Sequence, residues 1–127
     1  MSEKPMVKKA GSRRKARELA FQALYQYDLG FSTREHLESL EWMTGQNPPS
    51  PNAVEYFKKI FNGALENLQM IDNEIQSFAN KQGSIKMMAI DKAILRFGAY
   101  SLLFEKEVPA VILINEAVDI AKDFGGK

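Results

Sequence analysis

The stretch from Met87 to Phe104 constrains the fold more than any other. Ile90, Ala93, Ile94, Phe97, Tyr100 and Phe104 recur at three- and four-residue spacing on one helical face. Leu95, Gly98, Ala99, Leu102 and Leu103 cover much of the opposite face. A helix that is apolar nearly all round has to be enclosed by others, so this segment is expected to be the central helix of a helical protein. Gly98 lowers helix propensity and is expected to permit a close approach by a neighbouring helix.

The other segments repeat the helical period with a single apolar stripe. Arg13 to Leu29 reads as a first helix, with Ser12 as its N-cap and Gly30 as its stop. Ala16, Leu19, Ala20, Ala23, Leu24 and Tyr27 share one face, and Arg14, Lys15, Glu18, Gln22 and Tyr25 lie opposite. Ser32 and Glu35 have capping-box spacing, which predicts a short helix from Thr33 to Met43. Gly45, Pro48 and Pro49 mark a loop, and Ser50-Pro51 opens a third helix carrying Val54, Phe57, Ile60, Phe61, Ala64, Leu65 and Leu68. Asp72 suits the cap of a fourth helix bearing Ile75, Phe78 and Ala79.

Val108 to Ile114 looks locally like a strand. It has no partner strand elsewhere, and the residues after it are strongly helical. One helix starting near Pro109 and ended by Gly125-Gly126 is the better reading. The fold class is therefore all-α.

With 127 residues and 45% apolar side chains, one globular domain is expected. Residues 1–12 read as a flexible basic arm. No apolar run is long enough to span a membrane, and the segment after the basic arm is amphipathic rather than a signal-peptide core, so a cytoplasmic location is expected.

Enzymatic chemistry finds little support. Cysteine is absent, His36 is the only histidine, and no phosphate-cradling glycine loop or nucleophile elbow occurs. No metal or cofactor is expected. Glu105 and Glu107 flank a turn and read as solvated, and Glu116 and Asp119 read as a solvated helix face.

Charge is unevenly divided. Residues 1–17 hold seven basic side chains against Glu3 alone, a net of +6, while the rest holds ten basic against fifteen acidic, a net of −5. A basic start on an acidic body points to a polyanion held at one place. Single-stranded RNA needs cations for its phosphates and aromatic or amide groups for its bases. Arg13, Arg14, Lys15 and Arg17, with Gln22 and Tyr25 about two turns on, provide both.

Two segments together resemble the NusB family. The first is Arg13-Arg14-Lys15-Ala16-Arg17-Glu18-Leu19-Ala20-Phe21-Gln22-Ala23-Leu24-Tyr25, similar to that family's arginine-rich opening helix. The second runs from Ile90-Asp91-Lys92-Ala93-Ile94-Leu95-Arg96-Phe97-Gly98-Ala99-Tyr100 through Val108-Pro109 to Ile114-Asn115-Glu116-Ala117-Val118-Asp119-Ile120-Ala121-Lys122 and Phe124-Gly125. It is similar to the family's central helix, Val-Pro turn and Ile-Asn-Glu-Ala helix.

The resemblance implies an all-α bundle of six to seven helices in two helical halves, residues 13–70 and 71–127. It implies a transcription antitermination factor that binds boxA-type single-stranded RNA with NusE, a small ribosomal subunit protein, and through them meets other Nus factors and RNA polymerase. Arg13, Arg14, Lys15, Arg17, Gln22 and Tyr25 are the implied RNA residues. Asp91, Arg96 and exposed parts of the fourth and fifth helices are the implied partner surface. Some relatives dimerise, so a homodimer is also compatible.

Relatives continue past the Phe-Gly segment with a further helix that this sequence does not show. Phe124, Ile120 or the central helix is then expected to be more exposed than usual. Gln82-Gly83 stands where many relatives carry a tryptophan. The alternatives are an accessory domain of an RNA methyltransferase, whose catalytic cysteine is missing, and a protein-interaction bundle without RNA binding. A helix-turn-helix ranks lower, because the basic residues precede rather than line a recognition helix.

Overall fold

The computed structural model describes residues 11–81 and 88–124, which form six α-helices: α1 (Gly11–Leu29), α2 (Arg34–Ser39), α3 (Pro51–Glu66), α4 (Leu68–Lys81), α5 (Ala89–Phe104) and α6 (Ala110–Phe124). Most of the expected arm, Gln82-Gly83, Met87 and the Gly125-Gly126 stop lie outside the described residues. Among the described residues there is no strand, and no helix is long and apolar enough to cross a membrane.

The segment after Pro109 is helical because its apolar residues continue at helical spacing, which carries Leu113 and Ile120 into the protein's interior. Ser50 caps α3 as expected; its hydroxyl accepts from the Ala53 backbone N–H at 3.1 Å.

Several local expectations are corrected. Gly11 and Ser12 belong to α1, so Ser12 is not its cap, and the Ser12 hydroxyl instead lies 3.3 Å from that of Ser50. Thr33 rather than Ser32 caps α2, accepting from the His36 N–H at 3.1 Å. That helix stops at Ser39, because Leu40 turns left-handed at φ 63°. Asp72 does not cap α4, which begins four residues earlier; its carboxylate is drawn to Arg96 at 2.9 Å, a charge-assisted pairing stronger than a cap.

The core forms where α1 packs on α3 and α5. Leu19, Phe21, Leu24, Phe57, Ile60, Phe61 and Phe97 are all buried there, with Leu37, Ile71 and Ile120 closing it from α2, α4 and α6. Phe57 and Phe61 stack with centroids 5.5 Å apart, and Phe21 meets Phe97 and Phe124 at 6.4 and 5.4 Å. The close approach belongs to Gly63, not to Gly98. A Cβ on Gly63 would lie 2.5 Å from the Tyr100 ring, whereas one on Gly98 would meet nothing within 4 Å.

The central helix is enclosed on one side only. Ala93, Phe97 and Tyr100 are buried, while Leu95, Leu102, Leu103 and Phe104 are exposed. With Phe78, Ile114 and Val118, the open side of α5 lines an apolar groove of about 430 Å3 between α4 and α6. Exposure thus falls on the central helix and Phe124, while Ile120 is fully buried.

Candidate nucleic-acid interface

The cations at the start of α1 divide over two sides of the helix. Arg14, Glu18, Gln22 and Tyr25 follow one another at four- and three-residue steps along one face. Arg13 and Arg17, four apart, stack along another.

Arg14 faces α6. Its Nε donates to Glu18 at 3.0 Å, and its terminal nitrogens lie 3.6 Å from Asp119 and 3.7 Å from Asp123. Both aspartates are well exposed, so these longer pairs are open to water and salt. Lys15 is half-buried. Gln22 and Tyr25 are half-buried too, and Tyr25 packs on the edge of the core.

Arg13 and Arg17 face α3. Arg13 is exposed, 3.8 Å from Glu107, with its guanidinium carbon 4.8 Å from the Tyr56 ring centre. Arg17 is different in kind, because only 2% of it is exposed. It donates to Glu116 at 2.6 Å and to the Tyr56 hydroxyl at 3.2 Å. It also lies 3.8 Å from Glu105, and its Nε has no partner. So the structure leaves Arg13 exposed and Arg14 and Lys15 half-buried at the surface, and turns Arg17 inward, where it ties α1 to α3 and α6.

Glu105 corrects the solvated reading. It is 1% exposed, and neither carboxylate oxygen makes a hydrogen bond. Burial pushes its carboxyl above the ordinary range; Arg17 opposes this, and Glu107 and Glu116 reinforce it. Glu116 is likewise half-buried against Arg17. Neither role was visible from sequence, because both depend on a turn folding back onto a helix far earlier in the chain. Tyr56 was missed for a similar reason: it flanks the apolar stripe of α3, and nothing local marks it as meeting three cations.

Of the two residues expected on a partner surface, Asp91 is exposed at the start of α5, where it accepts from the Met88 backbone N–H at 3.4 Å. Arg96 is buried. It donates to both Asp72 oxygens at 2.9 Å and to Asp28 at 3.1 Å. Burial opposes its charge, but hydrogen bonding to Asp72 and the charges of Asp72 and Asp28 outweigh this and hold it above its ordinary value. Arg96 and Asp91 therefore act on different sides of α5. Among the described residues no cluster of His, Asp or Glu could hold a metal.

A helical bundle presenting an arginine-lysine turn at its surface, with glutamine and tyrosine further along the same helix, has the makings of an RNA-binding protein of the all-helical class. The chain belongs to the NusB family, whose sequence profile matches residues 14–127. It is 44% identical over 113 residues to the transcription antitermination protein NusB of Treponema pallidum (strain Nichols), covering 89% of this chain and 80% of that one. With the NusB protein of Haemophilus influenzae (strain ATCC 51907 / DSM 11121 / KW20 / Rd) it shares 37% over 125 residues, 98% of this chain and 85% of the relative. A solved T. maritima NusB superposes with a TM-score of 0.75 at 31% identity, covering 98% of this chain and 81% of that one. A structure of NusB and NusE in complex with double-stranded RNA matches with a TM-score of 0.70 at 29% identity, covering 89% and 83%.

Proposed function

We propose that this chain is a transcription antitermination factor that binds boxA-type single-stranded RNA together with the small ribosomal subunit protein NusE, so supporting processive transcription of ribosomal RNA operons. It acts in the cytoplasm as a binding protein and not as an enzyme, and other Nus factors and RNA polymerase join through the assembled complex. The observation that carries this reading is the accessible Arg13-Arg14-Lys15 turn at the positive end of α1, in a chain whose family relatives are antitermination proteins.

Arg13, Arg14 and Lys15 hold RNA phosphates, and Gln22 and Tyr25 meet bases further along α1. Arg17 lies beneath that surface and acts through position, fixing the helix start against Tyr56 and Glu116. On the partner side, Asp91 and the exposed parts of α4 and α5 meet NusE, and Arg96 holds those helices in place.

The test is a salt titration of binding to a short boxA-type RNA, with and without NusE, comparing wild type with Arg13→Ala/Arg14→Ala. Binding should strengthen with NusE and weaken with salt. The double variant should show a slope shallower by about 0.7 for each phosphate it no longer neutralises. Wild type that fails to bind even with NusE would leave a protein-interaction bundle as the function.

A further inference from the structure

The first turns of α1 and α3 face each other across an open cleft of about 710 Å3. On the α3 side, Asn52, Glu55, Tyr56 and Lys59 line it at three- and four-residue steps, so one helical face forms the wall. On the other side are Gly11 to Arg14. The two helix starts meet where the Ser12 and Ser50 hydroxyls lie 3.3 Å apart, so the positive ends of both dipoles converge at the cleft.

Tyr56 stands between the cations. Arg13 lies 4.8 Å and Arg17 5.5 Å from its ring centre, and Lys59 lies 5.9 Å away. The Arg17 bond to its hydroxyl pins the ring. Two carboxylates also line the cleft. Glu116 is committed to Arg17 at 2.6 Å and Arg14 to Glu18 at 3.0 Å; Glu55 is exposed and opposes an anion, but Arg13 and Lys59 outnumber it. With cations already gathered on Tyr56, the cleft suits a phosphate better than a stacked base.

We propose that this cleft binds a backbone phosphate of the RNA, with Lys59 of α3 and Arg13 as its cations and Tyr56 as the residue that positions them. The RNA track then crosses from α1 onto α3 rather than staying on the opening helix. The proposal rests on the RNA-binding function proposed above and extends its surface to a second element.

The experiment measures binding of the boxA-type RNA with NusE present, across a salt series, for wild type, Lys59→Ala and Lys58→Ala. Lys58 is the matched control: it is also exposed, but lines a separate depression with Leu40 and Pro48. Lys59→Ala should weaken binding about fivefold and lower the salt slope by about 0.7, as expected when one phosphate of a single strand goes unneutralised. Lys58→Ala should match wild type, and all three should share one thermal midpoint. Lys59→Ala that keeps the wild-type affinity and slope, while Arg13→Ala/Arg14→Ala loses both, overturns the cleft and leaves the function standing. Wild type that does not bind the RNA removes the function and the cleft with it.

Discussion

Two buried arginines hold the two ends of α1, and they are finished to different degrees. Arg96 meets the α1 end at Asp28 and takes Asp72 of α4 in a two-pronged grip, so each of its three nitrogens has a carboxylate oxygen within 3.1 Å. Arg17, at the other end, has one short bond to Glu116, a weaker one to Tyr56, an unpartnered Nε, and a terminal nitrogen 3.8 Å from the Glu105 carboxylate, which itself makes no hydrogen bond. A satisfied buried network locks geometry, whereas a half-satisfied one is costly. The complete network sits away from the proposed RNA surface, and the incomplete one lies directly beneath it. An accessible cationic turn needs a fixed base. Arg17 supplies it with carboxylates that would otherwise compete for the same cations.

The contrast breaks most directly at the complete end. Arg96→Met leaves Asp28 and Asp72 facing each other without their cation. Unfolding by urea should show a loss of about 2–4 kcal/mol, held below the full cost of a buried broken pair because both carboxylates keep some exposure to water. A loss under about 0.5 kcal/mol would mean that the grip contributes nothing net.

At the incomplete end the change should run the other way. The raised Glu105 carboxyl means that the folded protein holds its proton more tightly than the unfolded chain does. Its contribution to stability is therefore present at low pH and is lost as pH rises from the ordinary carboxylate range through the raised value. Glu105→Gln keeps the shape and removes that loss. The variant should be more stable than wild type at about pH 8, by about 1 kcal/mol, with the gap closing toward about pH 4. A variant less stable than wild type at the alkaline end would show that the Glu105–Arg17 pair is net favourable.

The smallest effect concerns the exposed pairs. Asp119 and Asp123 occupy Arg14 loosely, at 3.6 and 3.7 Å, and add little to the fold. Asp119→Asn/Asp123→Asn should leave the thermal midpoint unchanged and raise RNA affinity by about threefold to tenfold, the scale of two weak surface pairs. Unchanged affinity would place the RNA phosphates away from Arg14.

Legibility in the sequence followed distance along the chain. The helices were readable because a helix announces itself within a few turns. The apolar period of α5 and the Ser50-Pro51 start of α3 are local facts. The surface position of Arg13, Arg14 and Lys15, the proposed phosphate contacts, was readable for the same reason. What was not readable depends on remote partners. Arg96 finds Asp28 across 68 positions and Arg17 finds Glu116 across 99. Asp72 precedes an apolar run as a cap would, but a guanidinium from another helix outweighs the local preference. Gly63 and Gly98 look alike in sequence, and only Gly63 has an aromatic ring pressed against it.

The most direct measurement is an NMR titration of the labelled protein with boxA-type RNA, following backbone amide shifts. The predicted result is shifts concentrated at residues 11–15, around Gln22 and Tyr25, and along Asn52 to Lys59, with the amides around Arg96 unmoved. Shifts gathered on the apolar groove between α4 and α6, with the start of α1 silent, would contradict an RNA surface built on the accessible arginines.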